Sequence, residues 1–155
     1  MKHKIGAAAA ALTLSVTAMP ALAGDIDAGA SAFQSQCQNC HNVVNEDGDV
    51  LAGRANVRTG PNLYQVIGRQ AGTADFRYGN SLVEAGEEGL VWDQENMVPY
   101  LLDPQGYLRE TLDNNRARSQ MSFRVRDEDT ANNIIAFLAQ FSDVEEDEDE
   151  AAEGS

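Results

Sequence analysis

The residues of this chain with the most reactive side chains in the tightest spacing are Cys37, Cys40 and His41, in the run Cys37-Gln38-Asn39-Cys40-His41. Two thiols three positions apart can each form a thioether with one vinyl group of a haem. A histidine directly after the second thiol then falls beneath the iron as an axial ligand. Three other uses of the same residues compete. A structural disulfide could form in an oxidising compartment, but C-x-x-C pairs are more often redox-active or metal-binding. A thioredoxin-like exchange centre needs a β-α-β setting, and no strand followed by a helix is legible around Cys37. A zinc site needs four ligands, and beyond residue 3 the chain holds no Cys or His other than these three. Haem attachment is the expected chemistry.

A second axial donor can be sought by elimination. His41 is the only histidine after position 3, and lysine occurs only at positions 2 and 4. The soft donors left outside the amino-terminal segment are Met97 and Met121. Met97 falls in residues 93–102, which read as a helix capped by Asp93 with Met97, Tyr100 and Leu101 on one face. Methionine at that spacing is more often core filling than ligand. Met121 sits in Arg118-Ser119-Gln120-Met121-Ser122-Phe123, a polar, loop-like stretch from which a thioether can be offered to a metal. Met121 is the favoured ligand, and Met97 is the alternative.

These residues are carried by a short chain with two expected appendages. Its 155 residues are 43% hydrophobic and 23% charged, with four prolines, which suits one domain with an ordinary core. Lys2, His3 and Lys4 form a basic start, Ile5 to Ala18 an apolar run, and Ala21-Leu22-Ala23 a small-residue cleavage site. Residues 1–23 therefore read as a secretory signal removed after Ala23, too short for an anchor that needs about 20 apolar residues. Residues 143–155 contain eight acids with Val144 as the only large apolar residue, and read as a disordered, solvated tail. The remaining domain, 24–142, has nine arginines, seventeen acids and no lysine. The full chain's net charge of −14 argues against nucleic acid and anionic membrane as partners. With two cysteines and two histidines, disulfide frameworks and multi-site zinc modules are excluded.

Two helices should frame the centre. Ile26, Ala30, Phe33 and Cys37 form one apolar stripe after an Asp25 cap, and Ile134, Phe137, Leu138 and Phe141 form another in a helix starting near Asp127. Between them, Gly and Asn punctuate loops. Pro99 falls inside the helix expected near Asp93, where it removes a backbone bond and should kink the chain, leaving Tyr100 uncertain in position.

The order Gly29, Phe33, C-x-x-C-H at 37–41, Thr59-Gly60-Pro61-Asn62-Leu63-Tyr64, Gly68-Arg69, Phe76-Arg77-Tyr78, Trp92, Tyr100, Pro104, Met121-Ser122-Phe123 and Ile134-Ile135-Ala136-Phe137-Leu138 resembles the class I c-type cytochromes. Within them it resembles the large cytochrome c2 group of purple and related bacteria, over about residues 24–140. The resemblance implies an all-α class I cytochrome c fold, with helices and loops wrapped around one haem c attached through Cys37 and Cys40. It implies that the terminal helices cross at Gly29, with Phe33 meeting Phe137. Pro61 would accept the ring N–H of His41. Tyr78 and Trp92 would donate to the inner propionate and Arg69 would screen it. Tyr100 and Ser119 would support the methionine side, with His41 and Met121 on the iron. The stretch from Tyr107 to Met121 resembles the insertion that separates the large bacterial members from mitochondrial cytochrome c.

The function so implied is a carrier and not an enzyme. It would be a soluble, monomeric, periplasmic one-electron carrier without stable membrane insertion. It would take electrons from the cytochrome bc1 complex to a photosynthetic reaction centre, a terminal oxidase, or both, by transient docking. The rival expectation is a peroxidase-like haem enzyme or ligand-binding protein whose distal site is open because Met121 is absent from the iron. The family's ring of docking lysines is missing, and Gln36, Gln105 and Gln120 stand where basic residues are frequent. Arg54, Arg58, Arg116, Arg118, Arg124 and Arg126 are expected to form a reduced positive face instead. The acid excess suggests a protein stabilised by salt.

Overall fold

The computed structural model describes residues 24–143, so the expected signal segment and residues 144–155 of the expected tail lie outside the described residues. Asp25 is extended, and its carboxylate accepts from the Ala28 N–H at 2.9 Å, which starts α1 (Ile26–Ala32). The helix then widens into a π turn, Phe33–Cys37, closed by the Gln38 N–H donating to the Phe33 carbonyl at 3.0 Å. The buried stripe is shorter than its sequence period suggests. Phe33 is only 2% exposed and Gly29 is buried, but Ile26 at 45% exposure faces away from the core.

α5 (Glu128–Ala139) begins as expected. The Asp127 carboxylate accepts from the Thr130 N–H at 2.8 Å, and Glu128 and Asp129 place negative charge at the positive end of the helix dipole. It buries Ala131, Ile134, Ile135, Ala136, Phe137 and Leu138. α1 crosses α5 so closely that a Cβ at Gly29 would lie 1.9 Å from the Asn133 carbonyl oxygen. The Phe33 and Phe137 rings pack with centroids 5.5 Å apart, as the resemblance implied.

Between these helices lie a small antiparallel pair, β1 (Val43–Val44) and β2 (Val50–Ala52), and three further helices. α2 (Asn80–Glu87) and α4 (Pro104–Thr111) occupy ground that the sequence pattern assigned to loops. α3 (Gln94–Leu102) starts at Asp93 with a capping box shared with Asn96. Pro99 does not end α3. The bond it forfeits would have gone to Glu95, which is exposed and can be satisfied by water, and the helix runs on to Leu102. Tyr100 therefore has a definite place, 4.8 Å from the Trp92 ring and 5.8 Å from that of Tyr107, centroid to centroid. Among the described residues, five α-helices and one two-residue-by-three-residue sheet make a mostly helical fold. None of the described helices is long and apolar enough to cross a membrane.

Candidate functional site

The π turn delivers Cys37 to the protein interior, and the N–H groups of Cys40 and His41 both donate back to the Cys37 carbonyl, at 3.0 and 2.9 Å. This tight return sets the two thiols and the imidazole against one cavity. Burial, with Cys40 nearby, pushes the free Cys37 thiol up to about 11. A thiol–disulfide exchange centre requires the reverse, a thiolate available near neutral pH.

His41 is oriented by its neighbours. Its Nδ1 lies 2.9 Å from the Pro61 carbonyl, and a carbonyl can only accept, so Nδ1 carries the proton and Nε2 keeps its lone pair. Burial lowers the basicity of the ring, opposed by the Pro61 bond, and thereby favours the neutral imidazole that binds metals. The ring also rests on Gly60. A Cβ there would stand 2.4 Å from Cε1, 2.6 Å from Nδ1 and 2.9 Å from Nε2.

The segment that carries Gly60 and Pro61 is itself held by side chains. Asn62 Oδ1 accepts from the Val44 and Tyr64 N–H groups at 2.9 and 3.0 Å, and its Nδ2 donates to the Val44 carbonyl at 2.7 Å. Arg69 donates to the carbonyls of Tyr64 and Asn62 at 2.9 and 3.1 Å. Asn42, 6% exposed, accepts from the Leu63 N–H through its backbone carbonyl and donates through Nδ2 to the Arg54 carbonyl. The Asn62 and Asn42 clamps were not anticipated from sequence. Asn62 was visible within a motif, but its partner Val44 is eighteen positions away.

All eight residues expected to hold the cofactor line a single cavity of ≈ 270 Å³: Cys37, Cys40, His41, Arg69, Tyr78, Trp92, Tyr100 and Met121. Its remaining wall is largely apolar, including Val66, Leu101, Ile134 and Leu138. Arg69 and Tyr78 lie near one another, and burial pushes the Tyr78 phenol up against the pull of the Arg69 cation, which keeps it protonated and able to donate. Tyr100 is likewise pushed up by burial, with Ser119 against its hydroxyl. Ser119 Oγ donates to the Met121 carbonyl at 3.0 Å. Met97, 5% exposed on α3, belongs to the hydrophobic core as expected, and it also lines the cavity. The donor set fits a haem: two free thiols on the wall, an imidazole with Nε2 unprotonated, a thioether, and a cation with hydroxyl and indole donors for carboxylates.

The expected positive face is modified. Arg124 pairs with Asp103 at 2.8 Å, whereas Arg54, Arg58, Arg116, Arg118 and Arg126 are exposed and make no ion pair among the described residues. Gln36 lines the cavity and Gln120 is exposed beside Gly79, but Gln105 is half-buried and bonded to the Met121 loop.

No protein-family model matches the chain. Cytochrome c2 of Cereibacter sphaeroides is 48% identical over 144 residues, 90% of this chain and 97% of that protein. Cytochrome c-551 of Roseobacter denitrificans is 48% identical over 135 residues, 86% of this chain and 94% of that protein. Among solved structures, cytochrome c2 from Rhodobacter sphaeroides superposes with a TM-score of 0.74 at 49% identity, covering 77% of this chain and 97% of that one. Cytochrome c2 from Paracoccus denitrificans superposes at 0.71 with 32% identity, over 77% and 97%.

Proposed function

The chain belongs to the cytochrome c2 family, carrying one covalent haem c and transferring electrons without catalysing a reaction of its own, and from that premise we propose a His41/Met121-ligated periplasmic carrier. The observation that supports it most is the convergence of all eight expected residues on one cavity with the His41 Nδ1 proton turned to Pro61. A haem held by an imidazole and a thioether would supply one-electron exchange, and the thioether would raise its potential.

The residues then divide the labour. Cys37 and Cys40 would hold the group by thioethers, and His41 and Met121 would bind its iron. Arg69, Tyr78 and Trp92 would receive a carboxylate of the group that is otherwise costly to desolvate. Tyr100 and Ser119 steady the Met121 segment. The domain would span residues 24–142 after cleavage at Ala23. Electrons would come from the cytochrome bc1 complex and go to a photosynthetic reaction centre or terminal oxidase, by brief docking of a monomer.

Exposing the reduced protein to carbon monoxide at neutral pH tests the closed site. No spectral change is expected, whereas uptake would contradict the reading and favour a ligand-binding or peroxidase-like one. Docking through the unpaired arginines is tested by Arg118→Glu with Arg126→Glu, which should slow association with bc1 at low salt several-fold. An unchanged rate would remove that part.

A further inference from the structure

The amide of Gln105 makes two bonds, and both go to the loop that carries Met121. Its Nε2 donates to the Ala117 carbonyl, and its Oε1 accepts from the Ser119 N–H at 3.2 Å. One partner can only accept and the other can only donate, so the amide orientation is fixed. Gln105 is the second residue of α4, and neither partner belongs to that helix. The side chain thus substitutes for a neighbouring peptide, giving the loop the pair of bonds it would otherwise obtain from a strand.

The rest of the loop has few holds of its own. Ala117 is buried, and the Arg118 N–H donates to Ser81 Oγ at 2.9 Å. Downstream, the Val125 N–H donates to the Leu101 carbonyl at 2.9 Å. The Arg124–Asp103 pair is about half exposed, at 57% and 46%, and exposed pairs of this kind hold weakly. Between these points, Gln120 to Phe123 have no backbone N–H donating to another backbone carbonyl among the described residues. The stretch is pinned from within by Ser119 Oγ on the Met121 carbonyl, and Ser119 is itself held by Gln105.

We propose that Gln105 is the positioning residue of the methionine ligand: through Ala117 and Ser119 it holds closed the loop that keeps Met121 on the iron. The proposal rests on the reading of Met121 as that ligand. Gln105 touches neither haem nor iron in this account and acts only through the loop.

The test compares ferric holoprotein of wild type, Gln105→Met and Gln70→Met. Gln105→Met keeps side-chain length and removes both bonds. Gln70→Met removes a bond from Gln70 Nε2 to the Gly86 carbonyl, outside the Met121 loop, and controls for general loosening. Free imidazole is titrated against each, following haem absorption, because it enters only when the methionine leaves. Gln105→Met should bind imidazole about tenfold more tightly than wild type, and Gln70→Met within about twofold of it. Gln105→Glu, which retains the acceptor for Ser119 but sets a carboxylate oxygen against the Ala117 carbonyl, should also bind imidazole more tightly than wild type and serves if Gln105→Met does not fold. Equal affinities for wild type and the Gln105 variants, or an equal rise in Gln70→Met, would overturn the positioning role alone. A wild-type protein without the weak near-infrared sulfur-to-iron absorption would overturn both the ligand reading and this one.

Discussion

His41 can lie where it does because the residue beside its ring has no side chain. A methyl group at Gly60 would meet three ring atoms within 2.9 Å, so the imidazole and the Pro61 carbonyl could not keep their contact. Gly60→Ala is expected to lower the stability of the holoprotein by about 1–3 kcal/mol, the usual cost of forcing extra volume into a fitted site. Denaturant unfolding measures it, and an unchanged midpoint would show that the ring has room to move. At this scale the sequence was informative about reactive groups and, through the resemblance, about supports such as Pro61 and Ser119, but silent about others. The C-x-x-C-H spacing announces its chemistry within five residues. Asn62 and Gln105 do not, because their partners are backbone groups distant in sequence. A glutamine read as a surface substitute for lysine turned out to be a half-buried clamp.

The elements that place these groups are fixed mainly by one helix crossing. Gly29 lets α1 meet α5 at the Asn133 carbonyl, so Gly29→Val must separate the helices and disturb the Phe33–Phe137 contact. A loss of about 3 kcal/mol or more in thermal unfolding is expected, at the upper end of overpacking costs, and a loss under about 1 kcal/mol would mean that the crossing is slack. The start of α5 carries a pH dependence. Its bonds to Thr130 hold the Asp127 carboxyl below its ordinary range. That stabilisation is present above the unfolded carboxylate pKa and disappears as pH falls through the folded one. Asp127→Ala should therefore lower the melting temperature at pH 7, with a deficit that shrinks as the pH drops below about 3. A deficit independent of pH would deny the carboxylate its capping role. α1, α3 and α5 were legible because each couples an Asp cap to an apolar stripe. α2 begins at Gly79 without a side-chain cap and contains Gly86, so it reads as loop. α4 did have a start signal, Asp103 before Pro104, which its interior Gly106 and polar composition masked. The π turn left no mark, since Cys37 stays in phase with an ordinary helical stripe in sequence even though the backbone has widened.

Over the whole molecule, charge and ligand identity are the two properties that matter for a carrier. The described domain has an excess of acid over arginine and no lysine, so its surface repels itself. Screening should relieve that repulsion, and the melting temperature should rise between dilute buffer and roughly 0.5 M sodium chloride, where the Debye length is only a few ångströms. A flat response would show that the acids are already balanced by the fold. The identity of the ligand is the more central matter, because Met97 and Met121 both line the cavity. The most direct measurement is the near-infrared sulfur-to-iron absorption of the ferric protein in wild type, Met97→Leu and Met121→Leu. With Met121 on the iron, the absorption is present in wild type, survives in Met97→Leu and is abolished in Met121→Leu. Its loss in Met97→Leu with retention in Met121→Leu, or its absence from wild type, would rule out Met121 as the ligand.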